Sequence, residues 1–584
     1  MKLSFRTLLL LLCGVMLLGT VACDLKTETP TDTSTDGSTD TPEQSETTNT
    51  QETTQEETTQ EETTEEMTTE DPDVMIGETL DAAYAADFSV SKVFTSDMVV
   101  QRGEKLRVWG WAPESENGKK ISGEFMGMFA EALIENGEWT IQFGAKLNAC
   151  ADLGNQMKIY TDTKEVVFAD VLVGDVYMVI GQSNVAYSFS NYLSAANTDK
   201  ENYGTNMIDE SLPIRLHYNT LNENEAHGYP KRGTEEVCPD VVHNRTWERP
   251  NAASVNRFTA IGYCFAWNLV QMTEGKVPVG VIEIDGNGQP LGAFLPNPVA
   301  NELKSDRWND AQGIYVPEGV NATWARYMYN HYMYPFEKYA MAGLIWYQGE
   351  SDFQRAHASE FIERFSAFMT YMRSTHNVTN PDFAVYMVEF PSIYEKPADF
   401  TGQWHYMDLG LIRCVVGSIP QKLANCYLSV SSDLWNDTSY FNSLHPDCKF
   451  GQGQRLAKLA AAVRGDAGTL ESATGPIFES VEFSSDYKTA VLTFGNVGEG
   501  LTTSDGGTEV KGFTFMRGSY TVNNKKGATI TAEITAPNQI TVTCSASMKN
   551  GVVYNGVAGN FYGEGINLCN SYGCPAGAFF VAAE

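Results

Sequence analysis

The sequence predicts an α/β protein: a parallel sheet covered by helices on both faces, with one β-rich region before it and another after it. Three observations carry this. Between residues 171 and 465 five β-rich runs recur: DVYMVI, VPVGVIEI, AGLIWY, DFAVYMVEF and NCYLSVS. Segments between them repeat apolar residues at helical spacing. Ile261, Phe265, Leu269 and Met272 follow Phe258, and Phe365, Phe368 and Met372 follow Phe361. Outside this stretch the pattern turns to short alternating strands and turns. Continuous apolar strands that alternate with helices are buried on both sides, which is the signature of a parallel sheet.

The 584 residues are too many for one core, and a hydrophobic content of 42% lets most of them fold. The first 23 read as a secretory signal. Lys2 and Arg6 precede an apolar run from Leu8 to Leu18, too short to span a bilayer, and Thr20-Val21-Ala22-Cys23 closes it. Cys23 after a small residue resembles a bacterial lipobox, in which the cysteine is acylated. Thr20 departs from the aliphatic residue usual there, and a plain signal-peptidase site after Ala22 would cut the same bond. The resemblance implies a secreted or cell-surface protein, lipid-anchored through Cys23, with no other contact to a membrane.

Residues 24–75 form a Thr/Glu-rich linker that cannot bury enough to fold, and its like charges extend it into a tether. Residues 24–73 hold seventeen acids and one lysine, about half of the net charge of −34. The remaining charge is ordinary solubility and argues against nucleic acid as a partner. Of eleven cysteines, nine remain beyond Cys23, an odd number scattered through apolar runs, which is no disulfide framework. Cys569 and Cys574 are near enough in sequence to pair or to stay free. No CxxC pair or HExxH occurs, so no metal is expected. Asp285-Gly286-Asn287-Gly288 lacks the spacing of a calcium loop.

Residues 76–170 then read as an N-terminal β domain, from KLRVWGWA, ISGEFM, EWTIQF and EVVFADVLV. Residues 171–465 are the α/β domain. Residues 466–584 return to β-rich, Gly-rich sequence and read as a C-terminal β-sandwich.

In a parallel sheet the working residues gather beyond the carboxyl ends of the strands. DVYMVI is followed by Gly181-Gln182-Ser183-Asn184, VPVGVIEI by Asp285-Gly286-Asn287-Gly288-Gln289, and AGLIWY by Gln348-Gly349-Glu350-Ser351-Asp352. Some ten residues after NCYLSVS comes Ser443-Leu444-His445-Pro446, before the amphipathic run RLAKLAAAV. Ser183, Gly288, Gln348, Glu350 and His445 are therefore candidates to share one crevice. A serine needs a base for its proton, the imidazole an acceptor on its other nitrogen, and the oxyanion aimed N–H donors.

This constellation resembles the SGNH-type carbohydrate esterases, in particular the sialate O-acetylesterase family. MVVQRGEKLRVWGWAP, VLVGDVYMVIGQSN, FTAIGYCFAWNL with VPVGVIEI, LIWYQGESD, SLHPDCKFGQGQRLA and NLCNSYGCPAGAFF carry the resemblance over nearly the whole folded chain. It implies an SGNH-hydrolase-like three-layer α/β/α domain flanked by N-terminal and C-terminal β domains. It also implies Ser183 as nucleophile, His445 as general base, and an oxyanion hole from the N–H groups of Ser183 and Gly288 with the Gln348 amide as third donor. No cofactor is implied.

Two departures from the family pattern stand out. Its usual aspartate two residues before the histidine is Ser443 here, with Asn442 before it, so the acid is assigned to Glu350 of the QGE motif. Asp352 and Asp433 are reserves. Its usual Trp-Gly-Gly-Thr is replaced around Gly286-Asn287-Gly288, so the substrate edge of the site differs from that of relatives acting on sialic acid. Plainer readings stand beside these: a serine in such a turn can cap a helix, Glu350 can pair with an arginine, and a buried glutamine can tie two loops. Trp346, Tyr347 and Trp404 read as core, and Arg215 and Arg413 as structural ion pairs.

The expected activity is hydrolysis of O-acetyl esters of sialic acid or related glycans, with the acetylated glycan as the only partner expected. Acetylxylan or acetylmannan is the alternative substrate, and a decayed surface carbohydrate-binding protein the alternative class.

Overall fold

The computed structural model describes residues 87–581 apart from 196–199, 220–234, 242–244, 304–307, 310–313, 316–325, 353–354, 376–382, 391–406, 435–444, 518–520, 523–527, 550 and 556–565. The expected signal segment with Cys23, the linker, Trp404, Asn442 and Ser443 lie outside the described residues.

The central sheet is built from β1 (Val99–Gln101), β2 (Leu172–Gly181), β3 (Ile214–Tyr218), β4 (Trp247–Glu248), β5 (Val279–Asp285), β6 (Gly343–Tyr347), β7 (Ala384–Val388) and β8 (Cys426–Ser429). Its order is β4-β3-β5-β2-β6-β7-β8, and β1 runs beside the first residues of β2. Every pairing is parallel except the short edge strand β4, which is antiparallel to β3. β2 is central because all ten of its residues are apolar enough, or paired well enough, to be buried.

The five apolar runs correspond to β2, β5, β6, β7 and β8. β3 was not anticipated. Its sequence, IRLHY, carries Arg215 and His217, which break the apolar pattern, yet both are buried. Burial holds His217 neutral, with its pKa down to about 3, and its ring meets the edges of Trp247 and Phe336. β1 was expected in the preceding β region. Instead Val99 aligns with Leu172 and Gln101 with Gly174 in the central sheet. The run EVVFADVLV likewise divides at Asp170 (φ 53°), its last residues joining β2.

Among the described residues, four long helices cover the sheet: α1 (Ala260–Met272), α2 (Arg355–Thr375), α3 (Met407–Lys422) and α4 (Lys449–Arg464). Tyr177 of β2 meets Phe265 of α1 edge-on, and Trp346 of β6 meets Phe365 of α2 edge-on. Tyr177 aligns with Gly343 and Trp346 with Ile180. Since side chains alternate along a strand, α1 and α2 lie on opposite faces. α4 packs against α1 so closely that a Cβ on Gly453 would fall 2.6 Å from the Phe265 nitrogen. α3 packs against α2. The result is the three-layer α/β/α arrangement.

Before the central sheet, Lys105–Trp111 pairs with Ser89–Val90 and Glu138–Lys146, and Lys120–Phe125 with Met128–Leu133 and Met157–Tyr160. After it, a four-stranded antiparallel sheet from Ile477–Phe483 to Gln539–Cys544 and Ile530–Ala536 shares a core with Phe513–Arg517, Val552–Tyr554 and Phe579–Val581. Phe579 stacks on Phe478 and Tyr554 at the centre of that core. Arg413 stays internal, donating to the Phe390 carbonyl and to Asn555, and Arg215 to the carbonyls of Leu212 and Ile214. The nine cysteines among the described residues are free thiols, Cys569 and Cys574 included.

One buried charge ties β1, β2 and α4 together. Asp175, the fourth residue of β2, accepts from Gln101 (2.8 Å) and Arg102 (2.6 Å), and pairs with Arg464 at the end of α4 (3.0 Å). Breaking a buried ionic cluster from one side leaves its partners uncompensated. Asp175→Ala is therefore expected to lower unfolding free energy by about 3 kcal/mol, measured by chemical denaturation, whereas a loss under about 1 kcal/mol would contradict this account.

Candidate active site

β2, β5 and β6 end side by side: Asp285 aligns with Gly181, and Tyr347 with Gly181 on its other flank. The chain leaves β2 through a turn only glycine permits, because a Cβ on Gly181 would lie 2.1 Å from the Tyr347 carbonyl oxygen. The N–H groups of Val185 and Ala186 both donate to the Gln182 carbonyl at 2.9 Å, closing that turn around Ser183. Gly286 N–H donates to the Gly181 carbonyl (2.9 Å), and Gln289 N–H to Gly286 (3.0 Å), so a second tight turn with Gly288 at φ +68° lies beside the first.

The structure brings Ser183 and His445 together. The Nε2 of His445 lies 2.8 Å from Ser183 Oγ, although 262 residues separate them. Both are partly exposed, at the mouth rather than in the core. His445 just precedes α4, and burial, with the charge of Lys449, pulls its pKa down to about 4. It is therefore a neutral base over the whole range above that value. With Nδ1 protonated, Nε2 accepts the Ser183 hydroxyl proton. Among the described residues, neither the Ser183 nor the Gly288 backbone N–H donates to another group. Both are thus available to an oxyanion.

Glu350 is not turned to the imidazole. Its Oε1 accepts from Asn184 Nδ2 at 2.6 Å, and no hydrogen bond joins it to His445. Burial, partly offset by the Asn184 bond, raises its pKa to about 7. Gln348 also departs from its expected role. Its amide donates to the Gln289 carbonyl (3.1 Å) and to Asp352 (2.6 Å), which occupies both N–H bonds and ties the β5 and β6 loops together. The reserve acids are engaged as well. Asp352 accepts from the Leu291 N–H besides Gln348, and Asp433 binds both guanidinium nitrogens of Arg455. The position where the family pattern has its acid, 443, lies outside the described residues, as does Asn442 before it.

Two contributors escaped the sequence reading. Lys449, fully buried at the head of α4, donates to Asn184 Oδ1 at 2.7 Å. Tyr187 donates to Asp447 at 2.9 Å. A lysine at a helix start reads as solvated, so only the fold reveals its burial. Trp346 and Tyr347 are core, as expected.

Residues 173–416 match the family model described as carbohydrate esterase, sialic acid-specific acetylesterase. The chain is 23% identical over 341 residues to the sialate O-acetylesterase of Homo sapiens, covering 56% of this chain and 60% of that one. It is 23% identical over 362 residues to that of Mus musculus, covering 56% and 62%. The chain thus spans about three fifths of the length of these curated relatives. A crystal structure of a carbohydrate acetylesterase from Xanthomonas citri superposes with a TM-score of 0.66 at 22% identity, covering 85% of this chain and 100% of that one. That likeness shows a common fold.

Proposed function

We propose that this protein, whose residues 173–416 match the family model of sialic acid-specific acetylesterases among the carbohydrate esterases, removes O-acetyl groups from a glycan by serine catalysis. The observation that carries the reading is the 2.8 Å contact between His445 Nε2 and Ser183 Oγ at the carboxyl end of the central strand. Ser183 Oγ attacks the acetyl carbonyl and gives its proton to His445. The tetrahedral oxyanion is held by the N–H groups of Ser183 and Gly288. His445 returns the proton to the departing sugar oxygen, leaving an acetyl-enzyme. Water, deprotonated by His445, attacks the acetyl carbon, and collapse with return of that proton to Ser183 Oγ frees acetate.

The intact serine–imidazole pair weighs against a decayed sugar-binding protein. With the N-terminal segment read as a secretion signal and lipid-bearing tether, the enzyme acts at the cell surface on O-acetylated sialoglycans. The changed residues around Gly286 and Asn287 keep acetylated plant polysaccharide as the second substrate class. The test is acetate release by the purified protein from O-acetylated sialoglycan beside acetylxylan. Faster release from the sialoglycan is expected; faster release from acetylxylan would overturn the substrate, and none from either the activity.

A further inference from the structure

Two features of Lys449 oppose stability, and its ammonium serves one neighbour. Its side chain is fully buried. It opens α4, where the helix dipole disfavours a cation. Its ammonium points at Asn184, the residue after the candidate nucleophile. Asn184 is held from both ends, with Lys449 on Oδ1 at 2.7 Å and Glu350 on Nδ2 at 2.6 Å, which fixes its amide in one orientation. The rings of Tyr187 and Tyr347 flank the ammonium at 5.2 and 4.9 Å and partly replace its hydration. Local rules are broken in this way mainly at functional sites.

We propose that Lys449 is a positioning residue: through Asn184 it fixes the turn that presents Ser183, and its charge keeps His445 in the neutral form that takes a proton. This rests on the esterase reading. Among the described residues, the charged and titratable groups around Lys449 include Glu350, Asp447, His445, the phenols of Tyr187 and Tyr347, and the thiols of Cys448 and Cys264. The acids and thiols favour the ammonium, and His445 is the group it opposes. Burial brings Lys449 down to about 8, so it is charged throughout the acid range. Glu350, at about 7, is mostly protonated there and does not cancel it.

A cation beside imidazole disfavours imidazolium, so its removal raises the histidine's pKa, and the loss of activity on acidification sets in at a higher pH. The test is kcat and kcat/KM for p-nitrophenyl acetate from about pH 3.5 to about pH 7.5, with the wild type, Lys449→Met and Asn184→Ala. Lys449→Met is expected to lower kcat about tenfold and move the acid limb up by about half a unit or more. Asn184→Ala keeps the charge, so it should lower kcat similarly with no upward shift. An unmoved limb in Lys449→Met, or a kcat within about twofold of wild type, overturns the proposal. If Lys449→Met does not fold, Asn184→Ala decides: an unchanged kcat, or a limb that rises, overturns it. An inactive wild type would instead sink the esterase reading itself.

Discussion

Ser183→Ala is expected to reduce acetate release by about 10⁴-fold or more while leaving thermal unfolding unchanged. The reasoning begins with what the hydroxyl touches. Ser183 Oγ has its hydrogen bond to His445 and is partly exposed, so its removal creates neither a cavity nor an orphaned core group. It does remove the atom that forms the acetyl-enzyme. The N–H groups of Ser183 and Gly288 survive the substitution, which leaves only the modest background that an oxyanion hole supplies. Release of acetate, followed with a coupled assay, checks this. A variant retaining more than about 1% of wild-type kcat/KM would exclude Ser183 as the nucleophile.

His445→Ala is expected to cost about 10³-fold or more in kcat, and free imidazole is expected to restore part of it. The imidazole accepts from Ser183 through Nε2 and stands at the mouth of the site, where a small base can reach the space it leaves. Restoration should depend on the neutral fraction of added imidazole and so rise as pH passes its pKa. Loss without any restoration, together with a lowered melting temperature, would recast His445 as structural. Loss under about tenfold would remove it from the mechanism.

Much of this architecture was legible because it rests on patterns that survive in one dimension. Five apolar runs mark five strands of the central sheet, four of them buried throughout, and the strand-end rule brings Ser183 and His445 to one edge. What escaped depends on three-dimensional pairing. β3 hid behind Arg215 and His217, polar residues whose burial is made tolerable by carbonyl acceptors and by neutrality. β1 hid because a short strand belongs to whichever sheet offers it a neighbour, and Leu172–Gly174 does. Glu350 was assigned to the imidazole by motif, yet the direction of a side chain in a loop is set by local partners, and Asn184 lies closer to hand. A buried Gln348 fits the sequence pattern either as oxyanion donor or as loop tie, and its two acceptors make it the tie.

The way β1 and Asp175 are placed bears on protein engineering. Ser91 anchors Asp240, the Val93 carbonyl accepts from Trp247, and Gln101 and Arg102 clasp Asp175. A recombinant fragment trimmed to begin at the apparent start of the hydrolase fold would forfeit a strand and strand a carboxylate in the interior. Any minimal catalytic version must keep the leading segment from at least Ser91 onward.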